Sequence, residues 1–208
     1  MSISFYTLAA ICGNFHWESN INPGIYEGLN VVPLTDDNAY GGYGLGQWTN
    51  SPQLGLTRRT QLVTWLRANG YADDSGDGQI AFLLAENYWH QNVGQYATLS
   101  DFLNNTETDV DNLTYIWMRN WEGINSPSIT YRRQWASNNF QYLVDHYTDQ
   151  SITTWVTGNR WLSDTEQKNN AILVCRALTG TTPPPTPPVP PIKHRALPVW
   201  MMTRPLIF

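Results

Sequence analysis

"GNFHWESNINPG", residues 13–24, ends an apolar run and closes on an Asn-Pro-Gly turn. Leu8, Ile11, Phe15 and Glu18 recur at i, i+3, i+7 and i+10, the spacing of one α-helical face. A helix over residues 4–18 is therefore expected to carry Glu18 at the end of its buried stripe, with Pro23-Gly24 stopping the chain soon after. The same periodicity works outward from there. It predicts helices over 57–68, closing at Asn69-Gly70, and over 77 to about 89 with Ile80, Leu83 and Leu84 inward. Val110, Leu113, Trp117 and Trp121 mark another, and Pro127 stands at the first turn of the next, with Ala136, Phe140 and Leu143 inside. Ser163 followed by Glu166 is a capping box for a helix that ends at Gly180. Residues 31–48 break the pattern. Pro33, four glycines and Asp36-Asp37-Asn38 are turn chemistry, suited to loops and a short hairpin. The expected fold class is mainly α.

Of the 208 residues, 14% are charged and 13% aromatic, with ten Trp and eleven Tyr. That balance suits a polar, aromatic-lined groove. A net charge of −5 and the lack of any Lys/Arg cluster argue against nucleic-acid binding, which draws its affinity from basic patches. No stretch reaches about 18 apolar residues and no basic region precedes the first apolar run, so neither a membrane span nor a signal peptide is expected. Cys12 and Cys175 form no metal-binding spacing, and each falls on an apolar stripe. They read as small buried hydrophobes, with a disulfide as the alternative. Residues 181–191, "TTPPPTPPVPP", read as a stiff polyproline II spacer, and 192–208 as a basic, apolar docking tail too short for a core. The compact unit then spans 1–180.

A carboxyl group closing an apolar helix face is partly desolvated, which favours its protonated form and suits it to protonate a glycosidic oxygen. On the helix argument alone, Glu18 fits a solvated helix end at least as well. "YGGYGLGQWT", residues 40–49, has glycines that admit close backbone approach, the amide of Gln47, and the flat rings of Tyr43 and Trp48 for sugars. It also fits a structural Gly-rich turn. Its spacing is not that of a phosphate loop, and His16, His90, His146 and His194 make no metal-ligand pattern.

Together the two stretches carry more than either. "AICGNFHWESNINPGIYEG" with "GYGLGQWT" and the later "RNWEGINSPSITYRRQWASNNF" resembles the phage tail lysozyme family over roughly residues 8–145. "GN-x3-ES-x-INPG" is the specific part, "GxGLxQW" supports it, and the Trp121-Glu122 segment is weaker. The resemblance implies a mostly helical lysozyme-like fold that cuts the glycan strands of bacterial walls, with Glu18 as catalytic acid and no metal or organic cofactor. The implied reaction is muramidase hydrolysis of the β-1,4 bond between N-acetylmuramic acid and N-acetylglucosamine. A lytic transglycosylase using Glu18 alone and a non-catalytic glycan-binding tail component are the alternatives. The implied location is the virion tail, acting on the cell wall, with residues 183–208 available to bind tail neighbours.

Glycosidases commonly pair the acid with a second carboxylate. Asp37, slightly ahead of Asp36, is the candidate, since a hairpin could carry that loop across a cleft; both also fit turn caps, and Glu27 ranks third. Tyr43, Gln47 and Trp48 are the expected sugar contacts. Glu122 fits an ion pair with Arg132 or Arg133, with substrate contact as the alternative. One departure stands out. A helix like "LSDTEQKNNAILVCRALTG" precedes the acid-bearing segment in the family, whereas here it occupies residues 162–180. A circular permutation, with this helix folded back beside residues 4–18, or a truncated second repeat would account for it.

Overall fold

A computed structural model describes residues 3–86 and 88–180; the proline-rich spacer and the tail lie outside the described residues. Seven helices and one small sheet make up this region: α1 (Phe5–Ser19), β1 (Gly41–Tyr43), β2 (Trp48–Ser51), β3 (Leu56–Thr57), α2 (Arg58–Ala68), α3 (Gly76–Glu86), α4 (Leu99–Leu103), α5 (Val110–Asn120), α6 (Ile129–His146) and α7 (Asp164–Thr179). The mainly α expectation holds.

Helix α1 is the hub. Ser4 caps it by accepting from the Thr7 amide, and Asn20, in the left-handed conformation, ends it. Every residue from Phe5 to Phe15 is buried, so α1 has no solvent stripe until its last turn. The single face expected from periodicity is too narrow a description: a helix apolar all round is one surrounded by others. Here α5, α6 and α7 surround it. Phe15 meets Trp117 and Trp121 edge-on, and Tyr6 stacks on Phe140. Gly13 permits the closest of these approaches, because a Cβ there would lie 2.5 Å from the Arg132 carbonyl oxygen.

Helix α7 carries the anticipated capping box at Ser163 and Glu166. It packs against α1, α3 and α6, and Cys175 Sγ stands 3.9 Å from Cys12 Sγ. Both thiols are free and buried, as their apolar settings suggested. Ala136, Phe140 and Leu143 of α6 face inward as expected. Helix α3 differs: Leu84 is exposed and Phe82 takes the inward position, and the helix ends at Glu86, short of Trp89. Helix α4 was not anticipated, although its capping box, Thr98 with Asp101, is visible in the sequence. Five residues are too few for a periodic signal.

The hairpin forms where the glycines predicted it. Strand β1 pairs antiparallel with β2 in the register Gly41–Asn50 to Tyr43–Trp48, and β3 extends the sheet. Gly44 and Gln47 in its turn have positive φ. The buried Gln79 of α3 locks that turn in place: its Oε1 accepts from the Leu45 amide at 2.9 Å while its Nε2 donates to the Pro23 carbonyl at 2.8 Å. The hairpin turn and the Asn-Pro-Gly turn are thus clamped together. Among the described residues no helix is long and apolar enough to cross a membrane.

Candidate active site

Asn14 and Glu18 stand one turn apart on α1, so their side chains share a face. Both meet Arg132 of α6, whose side chain is 0% exposed. Its Nη1 donates to Asn14 Oδ1 at 2.9 Å and to Glu122 Oε1 at 2.6 Å, its Nη2 donates to Glu18 Oε1, and its Nε donates to Ser128 Oγ at 3.1 Å. One guanidinium therefore ties together α1, α6 and the Trp121-Glu122 corner. The spacing of "GN-x3-E" acquires a cause: glycine for the α1–α6 approach, and asparagine and glutamate for the arginine.

The two carboxyl groups differ in access. Glu18 is 21% exposed and Glu122 only 6%. Burial, and next the negative charge of Glu18, push the Glu122 pKa well above the usual carboxylate range, although Arg132 opposes the shift. Its Oε2 is buried with no hydrogen-bond donor among the described residues. Burial of this unpartnered oxygen penalises the ionised form, in the same direction as the pKa shift.

Glu18 and Glu122 line a cleft of about 190 Å³ together with Gly46, Gln47, Arg58 and Tyr88. Gly46 is pressed against Trp121, where a Cβ would lie 2.3 Å from the indole ring. Gln47 reaches the cleft, and its Nε2 donates to the Gly44 carbonyl at 3.0 Å, bracing its own turn. Arg58 is positioned by Glu86, which it meets at 3.0 and 3.1 Å, and lies 3.7 Å from the centre of the Tyr88 ring. Burial raises the pKa of Glu86, against the pull of Arg58.

Several expected site residues lie elsewhere. Trp48 is fully buried and donates its indole N–H to Glu86 at 3.2 Å. Tyr43 is buried against Tyr26, and burial raises its hydroxyl pKa. Neither ring can stack on a sugar; both serve the core that holds the hairpin. Asp36 and Asp37 are not among the residues lining the cleft. Their loop winds about the buried Arg59, whose side chain donates to the carbonyl oxygens of Pro33, Leu34, Asp36, Ala39 and Gly41. The Asp36 carboxylate caps the Asn38 amide. Glu27 accepts from the Gly42 amide at 2.8 Å and also stays outside the cleft. Glu122 has the Arg132 partner that was one of its two options, while Arg133 donates to the Asp111 carbonyl. The contact between Arg132 and Glu18 was not anticipated, because 114 residues separate them. Arg58 and Tyr88 were missed as well, since neither belongs to a recognisable motif.

Comparison with known proteins agrees with this geometry. The sequence model of the phage tail lysozyme family matches residues 2–143, which contain Glu18, Gln47, Glu122 and Arg132. The chain is also similar to Morphogenesis protein 1 of Bacillus phage B103, with 36% identity over 84 residues, covering 39% of this chain and 20% of that protein. The chain thus spans about a fifth of the length of that curated relative.

Proposed function

The chain belongs to the phage tail lysozyme family, and from that premise we propose that it is a muramidase hydrolysing the β-1,4 bond between N-acetylmuramic acid and N-acetylglucosamine. The observation that carries this reading is the unequal carboxyl pair at Arg132: one member sealed, with its pKa raised by burial, the other open to the cleft. Glu18 meets the glycosidic oxygen. Glu18 gives its own carboxyl proton to that oxygen as the glycosidic bond breaks, water supplies the hydroxyl to the anomeric carbon, and Arg132 stabilises the carboxylate left behind. Gln47 and the Gly46 backbone supply polar contacts along the same wall. Glu122 shares a guanidinium with Glu18, so it cannot lie on the opposite face of a sugar from it, and its role is to position the acid through Arg132.

Glu18→Gln in the full chain tests the assignment. Digestion of purified peptidoglycan is expected to fall by at least about a hundredfold, the scale of a lost general acid, with wall binding retained. Persistent digestion would remove Glu18 from the mechanism. If the wild type binds wall without digesting it, the fold serves as a non-catalytic glycan-binding component.

A second reading is supported by the position of Asp36 and Asp37 outside the cleft. A lytic transglycosylase needs only one acid/base group, the C6 hydroxyl of the muramic acid closing an anhydro ring in place of water. Mass spectrometry separates the two, since transglycosylation products are lighter by one water. The family and the phage relative support a virion-tail setting, with residues 183–208 as attachment to tail neighbours. We also propose that residues 1–180 form one catalytic unit in which α7 stands, by circular permutation, for a helix that precedes the acid in the family. The packing of α7 on α1 supports this. Deleting residues 160–208 with no change in melting temperature would refute it.

A further inference from the structure

One residue before Glu18 on α1 and one before Arg132 on α6, the rung between the two helices is aromatic. Trp17 and Tyr131, 40% and 47% exposed, stack with ring centres 5.3 Å apart and planes inclined by 15°. Beside them Trp135 stacks on His16 at 5.3 Å and 17°. These rings line a hollow of about 360 Å³ with Gln134 and Asn138 of α6 and the Asp164–Lys168 pair of α7. The side chains of Gln134 and Asn138 are exposed, make no hydrogen bond among the described residues, and share the helix face of Tyr131.

We propose that this face is a second saccharide-binding site, taking N-acetylated amino sugars of the same glycan strand that is cut at Glu18. The identity of the polymer rests on the muramidase reading; the binding chemistry rests on the face itself. The C–H face of a pyranose packs on a flat ring, and its acetamido group needs a donor and an acceptor, both of which a carboxamide side chain supplies. Charge is nearly absent: Lys168 is neutralised by Asp164 at 2.7 Å, so an anion has no anchor here. Position fits the polymer too. Adjacent residues of a helix point about 100° apart, so Trp17 and Tyr131 look onto the face next to the cleft, and a strand leaving Glu18 around the α1–α6 wall runs onto the platform. A polymer held at both places would stay bound between cuts.

The test uses the full chain carrying Glu18→Gln, with and without Trp17→Ala and Tyr131→Ala, co-sedimented with purified peptidoglycan sacculi. The aromatic substitutions are expected to weaken retention about tenfold, the loss typical of truncated aromatic anchors, with an unchanged melting temperature. Trp17→Phe should restore most of it, and soluble N-acetylglucosamine tetramer should release the parent protein. In the active background Trp17→Ala should raise KM on sacculi and leave kcat on a short soluble glycan unchanged. Undiminished retention of the folded double variant would overturn the proposal, as would retention that the tetramer does not compete. Should the Glu18→Gln chain still digest wall, the muramidase assignment fails while the retention comparison is still decisive for this face.

Discussion

Replacing Arg132 by methionine keeps much of the side-chain length and removes the charge that joins Glu18 to Glu122. Glu122 would be left 6% exposed without its hydrogen-bond donor among the described residues, and Asn14 Oδ1 and Ser128 Oγ would each lose a bond. Removing one partner of a buried ion pair costs about 3–5 kcal/mol, mostly the penalty of the stranded charge. At about 2–4 °C per kcal/mol for a domain of this size, the melting temperature should fall by roughly 6–20 °C. The loss should depend on pH with a definite sign. Glu122 has a folded pKa raised above its unfolded value of about 4.3, so its contribution is complete below that value and declines as pH rises towards the folded pKa. Without the guanidinium that opposes the shift, the decline continues to higher pH. Thermal melts followed by circular dichroism should therefore show a smaller deficit for Arg132→Met near pH 4.5 than near pH 8. Adding Glu122→Gln should recover part of the loss, because the stranded charge is gone. A deficit independent of pH, or one below about 1 kcal/mol, would refute the stranded-carboxyl account.

Gly13→Ala should gain about 1 kcal/mol in helix propensity yet lower stability, because its Cβ would lie 2.5 Å from the Arg132 carbonyl oxygen and 2.9 Å from the Ala136 Cβ. A net loss of about 1–3 kcal/mol by denaturant titration, together with reduced wall digestion as Arg132 shifts, is the expected result. Asp36→Asn and Asp37→Asn should retain most activity in a peptidoglycan turnover assay, and a loss beyond about tenfold in either would return that loop to the mechanism. Thiol reagents should label Cys12 and Cys175 only after denaturation, since both are buried and burial raises the pKa of the Cys12 thiol.

Wherever one residue's type and spacing determined the outcome, the sequence was readable. Ser163 and Glu166 start α7 because capping is local, the glycines of residues 41–46 make a hairpin because few other residues tolerate those turns, and α1 ends at left-handed Asn20, just ahead of the Asn-Pro-Gly turn. Leu84 was misassigned because short apolar runs leave the inward face of a helix ambiguous until its neighbour is known. Tyr43 and Trp48 illustrate a different gap. An aromatic ring beside a glycine turn fits a sugar platform and a core plug equally well in sequence, and only burial decides between them. The exposed ring pair lies elsewhere, at Trp17 and Tyr131.

By itself, then, the sequence determined a helical chain, the end of its first helix, a glycine hairpin and the candidacy of Glu18, since these follow from propensity, capping and motif spacing within a few turns of backbone. Tertiary structure decided the partners. That Glu18 shares a buried arginine 114 residues away with the sealed Glu122, and that the Asp36–Asp37 loop closes on Arg59 instead of on the cleft, depends on how α1, α6 and the hairpin dock. Burial and charge pairing are properties of that docking, because desolvation exists only once the chain has surrounded the group.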